Sequence, residues 1–136
     1  MALKVALSSL LFLLSLITLV AIAASENCTC TYAISVQTEH KDRAGTESKI
    51  SLCVKDVNVT IFKPDNLRDW GIMEPGHDYF EKGNLDFFKG EQVGLHPCLI
   101  TVTSDGSGKN SAWYLDHVKI AIDGPTISAT VDFLVD

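Results

Sequence analysis

The chain has 136 residues, with 17 acidic against 11 basic side chains and a formal net charge of −6. With no cluster of Lys or Arg, that balance excludes a nucleic-acid binder, whose phosphate contacts need a basic face. The length allows one domain with a single modest core.

In chain order, Lys4 precedes an uncharged apolar run over residues 5–22, and Ala21 and Ala23 follow at the spacing a signal peptidase reads. This is the pattern of a secretory signal peptide, expected over residues 1–24, and the domain is expected over 25–136. The competing reading is a retained signal anchor, since the run is nearly long enough to span a bilayer. Removing 24 of the 136 residues leaves 112, and losing Lys4 takes the net charge from −6 to −7. No later segment is apolar enough to cross a membrane, so a soluble mature chain is expected. Two sequons, at Asn27 and Asn58, suit passage through the endoplasmic reticulum and are the expected glycosylation sites. The four cysteines, Cys28, Cys30, Cys53 and Cys98, are disulfide candidates in such a compartment, with three pairings open. Their spacing, and that of the histidines, fits no structural zinc site.

Period-two alternation dominates the mature region. Tyr32, Ile34 and Val36 form one apolar set, Ile50, Leu52 and Val54 a second, and Val57, Val59 and Ile61 a third. Each predicts a half-buried strand. Residues 66–73 accommodate one short helical turn. Residues 99–103 and 112–122 are rich in Ile, Val, Trp and Tyr and also predict strands. Within the latter, Trp113 and Leu115 share one parity, which places Trp113 in the core, while Val118, Ile120 and Ile122 share the other. That change predicts a bulge or burial on both faces. Ile127, Ala129, Val131, Phe133 and Val135 close the series. Gly, Pro, Asn and Asp clusters separate these runs, at 43–46, 63–66, 74–76, 104–108 and 123–125. The prediction is an all-β antiparallel sandwich.

Chemistry is sparse. There is no G-x-S-x-G nucleophile elbow. His40, His77, His96 and His117 sit in no ligand pattern, and each reads as a surface or strand residue. Gly106-Ser107-Gly108-Lys109-Asn110-Ser111 fails as a phosphate loop, because Asn110 stands where Ser or Thr must hold magnesium. Calcium needs six to eight oxygens, and Asp42, Asp56, Asp78 and Glu81, with Asn58 and Asp65, lie in or near predicted loops. Trp70, Ile72 and Met73 either enter a lipid interface or, with Leu67, cap the sandwich. The absence of basic neighbours favours capping. In His77-Asp78-Tyr79-Phe80-Glu81-Lys82-Gly83-Asn84-Leu85-Asp86-Phe87-Phe88, Phe80 and Phe87 read as core anchors, with Gly83 allowing the turn between them. Asp78, Glu81 and Asp86 lack a partner motif for acid–base catalysis.

The order of motifs resembles a PLAT domain, specifically the short secreted plant proteins of the plant-stress type. It is carried by Cys30-Thr31-Tyr32, Ala44-Gly45-Thr46-Glu47-Ser48, Asn66-Leu67-Arg68-Asp69-Trp70-Gly71, the aromatic stretch 77–88, Thr103-Ser104-Asp105-Gly106-Ser107-Gly108 and Trp113-Tyr114-Leu115. The chain departs from the family pattern at Glu39 and in the short turn at 55–58. The resemblance implies two four-stranded antiparallel sheets and a non-catalytic module that docks a protein or a membrane lipid. It implies a role in abiotic or biotic stress, in the endoplasmic reticulum or apoplast, and in some members calcium at one end of the sandwich. The function expected is therefore a secreted, monomeric, non-catalytic binding module without a cofactor. A calcium-dependent membrane-docking module is the alternative, and a small lipid-modifying enzyme has the least support.

Overall fold

A computed structural model describes residues 29–56, 59–94 and 97–135. The expected signal peptide, Asn27, Cys28, Val57, Asn58 and His96 lie outside the described residues.

The strands are β1 (Thr29–Thr38), β2 (Ile50–Lys55), β3 (Thr60–Phe62), β4 (Leu85–Val93), β5 (Leu99–Ser104), β6 (Leu115–Asp123) and β7 (Ser128–Leu134), with one 3-10 turn at Leu67–Trp70. They form two antiparallel sheets, ordered β4-β1-β6-β7 and β3-β2-β5. The antiparallel sandwich is as expected, but the second sheet has three strands among the described residues where four were expected. No described segment pairs with the outer edge of β5. The stretch from 105 to 114, which could have supplied a strand, is spent as a loop. Its backbone instead ties down the crossover between β1 and β2, through Asn110 O to Glu47 N and Tyr114 N to Ala44 O.

The alternation fixes which faces meet. Tyr32, Ile34 and Val36 of β1, Ile50, Leu52 and Val54 of β2, and Val118, Ile120 and Ile122 of β6 are all buried between the sheets. Each such side chain contributes on the order of 1.5–3 kcal/mol by leaving water. The parity change near Trp113 is a β-bulge. Gln37 faces His117 but Thr38 faces Leu115, so Asp116 is the extra residue. An extra residue reverses which later side chains point inward.

The 3-10 turn closes one side of the core. Asn66 caps it by accepting a hydrogen bond from Arg68 N at 3.3 Å. Trp70 stacks on Phe62 with centroids 5.2 Å apart, and Phe62 meets Tyr32 edge-on at 5.0 Å. Gly90 on β4 is required here, because a Cβ would lie 2.1 Å from the Trp70 ring. Trp70 is thereby half-buried against the core.

Candidate functional site

The loops at 39–49, 76–84 and 105–114 gather at one end of the sandwich. Thr38 N donates to Asn84 O, Glu39 N to Tyr114 O and Thr46 N to Phe80 O. Asp86, an inward residue of β4, holds the middle loop in place. Fully buried, it accepts from Phe80 N at 2.7 Å through Oδ2 and bonds His77 Nε2 at 2.5 Å through Oδ1. The bond draws Phe80 into the left-handed region at φ 67°, and Gly83 reaches φ 76° just beyond. Phe80 then stacks on Phe88 at 5.7 Å and meets Trp113 edge-on at 5.4 Å. Trp113 is half-buried and donates from Nε1 to Thr38 Oγ1 at 3.1 Å. Asp86 and His77 are thus committed to shaping the loop.

One core assignment is corrected. Phe88, not Phe87, enters the core, because β4 pairs Phe88 with inward-facing Ile34 and Phe87 with outward-facing Ser35. Phe80 is buried as expected.

Of the four acidic residues named for calcium, Asp42, Asp78 and Glu81 lie in the loops at this end and Asp56 does not. Asp42 is ion-paired with Lys82. That hydrogen bond, and then the charge of Lys82, hold the Asp42 carboxyl below its ordinary value. Asp78 is exposed, and its carbonyl accepts from Asn84 Nδ2 at 3.0 Å. A Glu81 carboxylate oxygen lies against Gly45. Asp56 follows the far end of β2, next to Cys98, and so lies at the opposite end of the sandwich. Among the described residues no three His, Cys, Asp or Glu side chains are grouped to hold a metal ion.

The thiols of Cys30, Cys53 and Cys98 are free. Cys30 is buried, with Sγ packed where Gly124 leaves room for it. Cys53 points to the outer face of β2, and Cys98 is exposed. Facing different ways, these three are not paired with one another.

Of Trp70, Ile72 and Met73, two are half-buried. Trp70 covers the core, and Met73 N donates to Tyr79 Oη at 3.1 Å. Ile72 is 59% exposed. Gly71 bridges to Phe88 in antiparallel fashion and Ile72 N donates to Phe87 O at 3.0 Å, which sets Ile72 beside Phe87 on one face. Leu85 shares that face two positions along β4, and Phe87 and Leu85 are 42% and 40% exposed. The result is an exposed apolar strip, Ile72–Phe87–Leu85, along the β4 edge. Sequence reasoning found Ile72 and missed the two β4 residues. A period-two reading of Leu85-Asp86-Phe87-Phe88 with Asp86 inside would have found them.

No family model matches the chain. It is similar to PLAT domain-containing protein 1 of Arabidopsis thaliana, at 38% identity over 130 residues, covering 92% of this chain and 72% of that protein. PLAT domain-containing protein 2 of the same plant is 38% identical over 119 residues, covering 85% and 64%. Lipoxygenase homology domain-containing protein 1 of Mus musculus is 34% identical over 107 residues, 75% of this chain but 5% of that protein. Among solved structures, coral 8R-lipoxygenase, described as activated by calcium through a C2-like domain, aligns with a TM-score of 0.61. Its identity is 23%, over 77% of this chain and 15% of the lipoxygenase. That likeness shows the fold.

Proposed function

The chain belongs to the PLAT-domain family, and from that premise we propose that it is a secreted, non-catalytic module that docks a protein or lipid partner through the Ile72–Phe87–Leu85 strip. The strip carries the reading. Large apolar side chains contiguous on a surface whose other strand residues are mostly polar mark an interaction site. Asp86 and His77 support a non-catalytic role, since both are spent on holding Phe80 in position. The apolar leader and the two sequons support passage through the secretory pathway to the endoplasmic reticulum or apoplast. The Arabidopsis relatives support a plant setting, and a stress response is the role the family resemblance suggests.

The test is co-sedimentation with vesicles of phosphatidylcholine and phosphatidylserine, run beside crosslinked capture from a secretory-pathway extract. The double variant Ile72→Ser, Phe87→Ser is expected to lose most of whichever interaction the native protein shows, with its melting temperature nearly unchanged because both side chains are exposed. Undiminished binding by a folded double variant would remove the strip from the function. Ester or fatty-acid turnover abolished by one substitution would show an enzyme instead.

A further inference from the structure

Among the described residues, no segment covers the β5 edge of the three-stranded sheet. β5 reads Leu99-Ile100-Thr101-Val102-Thr103-Ser104, with no charge, proline or glycine in its six residues. Edge strands are usually blunted by charge, proline, a bulge or short length, and the other edges of this sandwich follow that rule. β3 has three residues, β4 carries Lys89 and Glu91 and is bridged by Gly71, and β7 carries Asp132 paired with Lys119. The direction of the free backbone groups follows from the ladder. Leu52 N donates to Pro64 O, on the side away from β5. Successive residues of an antiparallel strand alternate in the direction of their bonds. Ser51 and Cys53 therefore face Thr103 and Thr101, and Ile100 and Val102 turn their N–H and C=O groups to the open edge.

The four-stranded sheet is one strand wider, and a groove of about 510 Å³ runs between β5 and the β6–β7 pair. Ile100, Val102, Leu115, Val118 and Phe133 line it. Its rim is apolar too, with Leu99, Leu134 and Val135 exposed at 53%, 77% and 55%. The groove lies at the edge of the sandwich opposite β4, so it is separate from the Ile72–Phe87–Leu85 strip.

We propose that this slot takes an extended peptide segment of a partner protein, with apolar side chains at alternate positions, which adds antiparallel to β5 as a fourth strand. Alternate side chains of such a segment point at Val118 and Phe133, while its backbone pairs with Ile100 and Val102. An acyl chain would fill the groove but bury those N–H and C=O groups without partners, which is costly. A second copy fits poorly. Joining β5 antiparallel to β5, about a two-fold axis perpendicular to the sheet, puts both four-stranded sheets on the same side, and each β7 then meets the other copy's β6. Two chains of net charge −6 also repel each other.

The probe is a short acetylated and amidated peptide of alternating threonine and valine between terminal lysines, titrated into the isotope-labelled protein. Its control is the same peptide with N-methyl groups on alternate residues, which keeps side chains and charge but removes backbone donors. The unmodified peptide is expected to slow amide exchange at Ile100 and Val102 and to bind on the order of tenfold or more tighter than the control, about 1.4 kcal/mol. Val102→Pro removes one edge donor while the ladder to β2 runs through Thr101 and Thr103, so the variant is expected to fold and to lose the peptide. Should it not fold, the N-methylated comparison on the native protein decides alone. The double variant Ile72→Ser, Phe87→Ser is expected to bind the peptide as the native protein does. Absence of protection at the solubility limit of the peptide, equal binding of the two peptides, or protection of the same amides in a peptide-free dimer seen by light scattering would each overturn the proposal.

Discussion

Asp86 accepts the backbone N–H of Phe80 and bonds a ring nitrogen of His77 from a position with no exposure to water. Replacing it with alanine leaves the Phe80 N–H buried without a partner and removes what holds Phe80 at positive φ. Hydrogen bonds to charged groups are worth about 1.5–3 kcal/mol each, and an orphaned donor costs about 1–3 kcal/mol. Asp86→Ala is therefore expected to lower the unfolding free energy by roughly 3 kcal/mol in urea titration. Asp86→Asn, which keeps an acceptor oxygen, should recover part of that loss. Equal stability of Asp86→Ala and the native protein would mean the carboxylate does not hold the loop. The sequence made Asp86 visible but not its role, because an aspartate among aromatics reads first as a surface or site residue. Burial by partners six and nine positions upstream leaves no periodic trace.

The strands differ in how openly they announce themselves. β1, β2 and β7 were legible because every other residue is apolar and the apolar parity faces the core. β6 was legible with its bulge, since the change of parity between Leu115 and Val118 has a counterpart in the shifted register at Gln37 and Thr38. β4 was not, and its own side chains explain why. Its inward positions are Asp86, Phe88, Gly90 and Gln92, while Leu85, Phe87 and Val93 point outward. The pattern is nearly the reverse of a half-buried strand, and it pointed to Phe87 as the core residue. Gly90 is inward only because the Trp70 ring fills the space over it, a fact of the 3-10 turn rather than of β4. The assigned register makes a direct prediction. Phe88→Ala is expected to cost about 3–5 kcal/mol, as for other buried aromatic truncations, and Phe87→Ala no more than about 0.5 kcal/mol, as for ordinary surface positions. A reversed order in thermal or chemical unfolding would move β4 by one residue.

At the scale of the whole molecule, the described residues put four strands over three, and most of the long loops collect at one end. The sequence located the acidic loop residues but not their distribution, since neighbours in space are set by which loops share an end. Asp42, Asp78 and Glu81 belong to loops at the crowded end, Asp56 to the other, and Lys82 lies on Asp42. Adding calcium, or chelating it, is accordingly expected to leave the melting temperature and any vesicle binding unchanged. A clear rise in melting temperature with calcium, saturating at one ion per chain in calorimetry, would show that these loops rearrange into a site. That the described residues place three strands in the second sheet was equally beyond local pattern, because residues 105–114 carry Trp and Tyr but are used to tie loops together.

The room that Gly124 leaves for Cys30 has a kinetic consequence. Cys98 stands in water and should react with an alkylating reagent at the rate of a free thiol, whereas Cys30 is sealed beneath the turn between β6 and β7. Its thiol can be modified only during moments when that corner lifts away. The slow labelling of one cysteine against the immediate labelling of another is therefore an internal clock for opening of the sandwich, readable by mass spectrometry on unaltered protein.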